Sequence, residues 1–172
     1  MRRSHRIAAT LRCGVLAALL ASPLAAEETL VTFKSLDPDV ALDMARAALN
    51  NCRSSGFQVS VAVVDRMGVP QVMLRDRFAG AHTPGSATRK AATAVSFKSD
   101  TLSLAENTRP DSAHSGARLI DGVLMLGGGI PVTAAGSTVA GIGVAGAPSS
   151  AEDHACAQAG IDAVVERLEL AE

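Results

Sequence analysis

The sequence predicts an α+β domain in which helices pack on an antiparallel sheet, and three observations lead there. Apolar residues recur at helical spacing in some segments and alternate in others, in the order α-β-β-α-β-β-β-α. Successive strands are joined by only a few residues, too short for the crossovers of a parallel sheet. The apolar fraction is 48% of 172 residues, with four Phe, no Trp and no Tyr. Such a core is filled mostly by Ala, Val and Leu, through close approach of backbones rather than by large rings.

Residues 1–26 read separately. Arg2, Arg3, Arg6 and Arg12 precede the apolar run Gly14–Ala21, and Ser22-Pro23-Leu24-Ala25-Ala26 follows it. A basic start, an apolar stretch well short of the ~18 residues that span a bilayer, and small residues at the end predict a signal peptide cut after Ala26. Cys13 precedes the apolar run, which argues against a lipid anchor. The alternative, a buried N-terminal helix, fits poorly with four leading arginines. The expectation is an exported domain spanning 27–172. Its charge differs from that of the whole chain. Sixteen basic residues face seventeen acidic ones overall, and loss of the four leading arginines leaves twelve, a net of about −5. That balance, with so few aromatic rings, disfavours nucleic acid and anionic membranes as partners.

The elements follow in order. Asp37 caps a first helix and Pro38 suits its first position; Val40, Met44, Ala48 and Cys52 form its stripe, and Gly56 ends it. Val59, Val61 and Val63 alternate as a strand, Asp65-Arg66-Met67-Gly68 turns, and Val69–Arg75 returns, with Pro70 at an edge or bulge. Thr83-Pro84 starts a second helix with the stripe Ala87, Ala91, Ala94 and Val95. Residues 100–118 read as a polar loop with one short helix. Three strands are then expected, at Val123–Leu126, Ile130–Thr133 and Thr138–Ala145, making five in all. Ser149 and Glu152 have capping-box spacing for a last helix running to Leu168. One face of Val139–Gly146 carries Gly141, Gly143 and Ala145 and is nearly smooth. It suits either the alanine-faced second helix or a flat ligand, and covering by the chain itself is favoured.

Gly141-Ile142-Gly143-Val144-Ala145-Gly146 matches G-x-G-x-x-G, but no strand follows the next helix, so no dinucleotide unit is completed. Gly127-Gly128-Gly129 lacks a phosphate-loop lysine and reads as a tight turn. Among His82, His114 and His154 no pair has metal-ligand spacing. His154 reads as a solvated first-turn residue and His114 as an exposed loop residue. His82, in Gly80-Ala81-His82-Thr83-Pro84, is either a turn residue or a ligand contact at a helix start. Arg89 and Lys90 read as solvated, with a Lys90 stem folded toward an anionic ligand as the alternative. Cys52 and Cys156 lie on apolar stripes, and in an exported chain they suggest a disulfide, with two buried free thiols as the other reading. No G-x-S-x-G and no catalytic triad order occurs, so no catalytic residue is expected.

Five segments in order, Ser60–Gly68, Arg75–Ala81, Ala87–Ala94, Gly128–Pro131 and Gly141–Gly146, resemble the GlcG/HbpS-like haem-binding family, related to the C-terminal domain of PduO-type proteins. The likeness runs from about residue 37 to 168. It implies a profilin-like, five-stranded antiparallel sheet with flanking helices, assembly into dimers to octamers, and binding of haem or a related tetrapyrrole. Some members act with a sensor kinase. A histidine near the domain start ligates haem in some members, but Pro38–Ser55 contains none. The resemblance therefore points to His82 as the iron ligand here and to His114 as second choice. Arg77, Phe78, Thr83 and Lys90 would line the same pocket, the cations holding propionates. The leading expectation is an exported, non-catalytic binder of haem or another small anionic ligand. An enzyme of small acids or aldehydes using His82, Asp65 or Lys90 is one alternative, and an oligomeric assembly module is another.

Overall fold

A computed structural model describes residues 29–171. The expected leader, residues 1–26, lies outside the described residues. The first helix, α1 (Pro38–Ser54), begins as its sequence directs: the Asp37 carboxylate accepts from the backbone N–H groups of Asp39 and Val40. Met44, Ala48 and Cys52 are fully buried on its inner face, joined by Ala41, Ala45 and Leu49. Strands β1 (Ser60–Asp65) and β2 (Pro70–Arg75) form the expected hairpin. The Asp65 side chain ties its turn by accepting from Met67 and Val69. Pro70 sits opposite Val64 where the register slips, and β2 is an edge strand, so the missing N–H of proline costs no ladder bond.

After α2 (Thr83–Phe97) come α3 (Thr101–Asn107), a 3₁₀ turn at Ser115–Leu119, β3 (Gly129–Ala134), β4 (Ser137–Ala145), α4 (Ser150–Asp162) and α5 (Val165–Glu169). The sheet is antiparallel in the order β2-β1-β4-β3. The α+β class stands, but with four strands among the described residues rather than five, and the expected order is corrected. Val123–Leu126 pairs with no strand. Its polar backbone is satisfied by side chains of α2 instead: the Leu124 N–H donates to Thr93 Oγ1 at 2.9 Å, and the Val123 carbonyl accepts from Arg89 at 2.5 Å. The last helix is also two, α4 and α5, and the segment 100–118 holds both a helix and a 3₁₀ turn.

The sheet carries α1 and α4 on one face, where Val61, Val63, Ile142 and Val144 join the main core, and α2 on the other, against Ala62, Val64 and Ala145. The smooth face of β4 is where α2 lies. A Cβ on Gly143 would stand 2.1 Å from the Ala87 carbonyl oxygen, and one on Gly141 would stand 2.8 Å from that of Ala91. Gly127–Gly129 is not a simple turn. A Cβ on Gly129 would meet the Lys90 carbonyl oxygen at 2.2 Å, so this glycine run also admits α2. On the opposite face, Cys52 of α1 and Cys156 of α4 are joined by a disulfide across 104 positions of sequence.

Candidate functional site

At the N-terminal end of α2 the segment between β2 and α2 leaves the sheet and faces the β4–α4 connection. The two border a cleft of about 540 Å³. Phe78, His82, Thr83 and Lys90, read from the sequence as one pocket, all line it. Arg77 does not line it, but its guanidinium lies 5.5 Å from the centre of the Phe78 ring. His114 lies elsewhere, in a separate 680 Å³ cleft with Phe97 and Leu104. The second-choice histidine is therefore not brought to the first.

His82 is the residue before α2, and its exposed side chain makes no capping bond. The imidazole folds over Gly80, where an added Cβ would stand 2.8 Å from Cε1. Thr83, expected as the cap, is instead buried inside the first turn. Its hydroxyl donates to the Gly80 carbonyl and is 2.8 Å from Ser60 Oγ. That shifts the cap to His82 and commits the Thr83 hydroxyl to the protein. Phe78 is 77% exposed, an unusual position for one of so few rings.

Lys90 corrects the solvated reading. It is 1% exposed, and its Nζ donates to Asp153 Oδ2 at 2.7 Å and to the Val144 carbonyl at 3.0 Å. An ammonium in that position needs a carboxylate beside it, and α4 supplies one. Asp153 also accepts from the Ala147 N–H, which fixes the far rim of the cleft. Burial pushes the Asp153 carboxyl above its ordinary range, against the hydrogen bond and charge of Lys90. Lys90 thus forms part of the floor with its ammonium turned inward. Arg89 is exposed but bonded to the carbonyls of Gly122 and Val123. His154 is half-buried, with Nδ1 4.0 Å from Asp100.

The cleft contains residues that the sequence did not mark. Gly146 ends the apparent dinucleotide motif and opens the rim, while Leu126, Ala147 and Pro148 add aliphatic wall. Gln58 also lines it, and its Oε1 is buried with no hydrogen-bond partner among the described residues. Asp153 was hidden because an acid in the first turn of a helix ordinarily faces water. No group of three or more His, Cys, Asp or Glu side chains able to hold a metal occurs among the described residues. One accessible imidazole beside an exposed ring and an aliphatic wall suits a partly apolar ligand with a group that an imidazole nitrogen can bind.

Comparisons with known proteins bear on that ligand. The family model described as haem degrading protein HbpS-like matches residues 36–162. A crystal structure of a double mutant of HbpS from Streptomyces reticuli is 45% identical, with a TM-score of 0.75, covering 83% of this chain and 96% of that one. The PduOC–heme complex is 29% identical, with a TM-score of 0.70, over 75% of this chain and 94% of the other. The Klebsiella pneumoniae protein ORFY, at 23% identity and a TM-score of 0.77 over 82% and 98%, shares the fold. No curated protein matches the chain.

Proposed function

Because the chain belongs to the HbpS-like family, we propose that it binds haem or a related tetrapyrrole in the cleft at the start of α2. The observation that carries this reading is the His82 imidazole, exposed and without a hydrogen-bond partner among the described residues, beside the exposed Phe78 ring. His82 supplies the nitrogen for the iron. Phe78, Leu126 and Pro148 offer apolar contact to the macrocycle, and Arg77 can pair with a carboxylate at its edge. Lys90 serves by holding the floor together rather than by reaching the ligand. The solved PduOC–heme complex supports haem as the ligand class. Export, self-association into dimers up to octamers, and partnership with a sensor kinase belong to the same proposal. So does a binding role without chemistry of its own.

Haemin titrated into the purified protein is expected to give a saturable Soret shift that His82→Ala abolishes or moves. An unmoved Soret band, or the same band in His82→Ala, would sink the ligation. The family description carries haem degradation, which makes turnover the second reading. Following the band for hours in air with a reductant separates them: a stable spectrum means storage or sensing, and bleaching with release of iron means degradation, with dioxygen as the oxidant.

A further inference from the structure

Asp76 is 2% exposed in a segment that belongs to neither strand nor helix. Its carboxylate receives Arg53 in a two-pronged contact, Nε at 2.7 Å and Nη2 at 3.1 Å, and also the N–H of Arg77 at 2.9 Å. Its backbone is held too: the Asp76 N–H donates to the Val59 carbonyl, and the Ala79 N–H donates to the Asp76 carbonyl. Arg75 reaches forward to the carbonyl of Ala79. At the other end of the loop, Thr83 binds Gly80 through both its N–H and its hydroxyl, and meets Ser60 of β1. Between these anchors stand Phe78 and His82. Neither Arg53 nor Asp76 lines the cleft. A buried carboxylate is costly unless it is fully bonded, and an apolar residue would fill the same space more cheaply. What the carboxylate adds is direction, through bonds that hold a loop at one angle to α1.

We propose that Arg53 and Asp76 are positioning residues for the ligand loop, presetting residues 76–82 so that Phe78 and His82 meet the haem already in place. This rests on the haem reading above. Arg53 is well suited, since its neighbour Cys52 is tied through the disulfide to α4, which forms the other side of the cleft. A planar guanidinium fixes a carboxylate in orientation as well as distance, which an ammonium does not.

The test is haemin binding by the full chain carrying Asp76→Asn, Arg53→Gln or Arg53→Lys, with His82→Ala alongside. Asp76→Asn and Arg53→Gln are each expected to weaken haemin binding roughly tenfold, the scale of lost outer support for a metal ligand. They should also turn a single ferric haem EPR signal into a mixture, with Arg53→Lys restoring part of both. A purely structural bridge would lower the melting temperature and leave the spectrum of bound haem alone. Wild-type affinity and spectrum in both disruptive variants overturn the proposal. Should Asp76→Asn fail to fold, Arg53→Gln at its half-exposed position decides. If His82→Ala alone abolishes the signal, the site stands and only the positioning role falls. If His82→Ala binds as wild type does, the site itself is wrong and the positioning role falls with it.

Discussion

Gly80 holds no side chain because the ring of His82 occupies the space that a Cβ would need. The ring is the movable end of a flexible side chain, so Gly80→Ala is expected to push it aside at little cost to the fold. Thermal melting should be unchanged while the haemin Soret band shifts; an unchanged band would show that the ring's present place does not matter to binding. Lys90 is the opposite kind of residue. Lys90→Ala leaves Asp153 buried without its cation and is expected to cost about 3–5 kcal/mol in urea unfolding. A loss under ~1 kcal/mol would mean that the pair is solvated in solution. Asp76 carries a pH dependence. The Arg53 hydrogen bond holds its carboxyl below the usual range against the penalty of burial. With the folded pKa below the unfolded one, its contribution is full above the unfolded value and is lost as pH falls through the folded one. Asp76→Asn should therefore flatten the acid limb of stability, measured by unfolding from about pH 2 to 6. An acid limb as steep as that of the wild type would refute the assignment. The chemistry of these residues was only partly legible in the sequence. His82 stood out by its loop, whereas Asp153 and Lys90 each looked like an ordinary surface charge until folding put them 2.7 Å apart.

At the scale of elements, the contact of α2 with β4 decides where the cleft lies. Alanines 87 and 91 on the helix face glycines 141 and 143 on the strand, so the two backbones touch. Gly143→Ala, with its Cβ forced to 2.1 Å from a carbonyl oxygen, is expected to destabilise by roughly 3 kcal/mol or more. An equilibrium denaturation curve superimposable on that of the wild type would rule out this packing. The helices, the first hairpin and the last hairpin were readable because their patterns are local: a cap, a period, a turn residue. Val123–Leu126 was misread for a nonlocal reason. Its apolar run resembles a strand, but Thr93 and Arg89 of α2 take its backbone groups, so it is held against that helix and joins neither edge of the sheet. Nor does any local signal show that the chain from Ser150 breaks near Ala163 into two helices.

For the whole molecule, the disulfide between α1 and α4 closes a loop of 104 positions. On the chain-entropy model such a link stabilises by about 4–5 kcal/mol. Reduction should lower the melting temperature by more than about 10 °C at this chain length. Equal melts with and without a reductant would mean that the thiols are free in solution. The link also unites the two helices that cover one face of the sheet, so loosening it is expected to reach the cleft rim through Arg53. By itself the sequence determined the fold class, the family resemblance, the pairing candidates Cys52 and Cys156, and a histidine loop worth attention. Those follow from composition, spacing and turn chemistry, which act within a few residues. Tertiary structure alone decided that the sheet has four strands among the described residues, that Lys90 is spent on Asp153, that His114 lies in another cleft, and that Arg53 stands behind the loop carrying His82. Each of these depends on which distant groups share a buried space, where an unpaired charge or backbone group is too costly to leave alone.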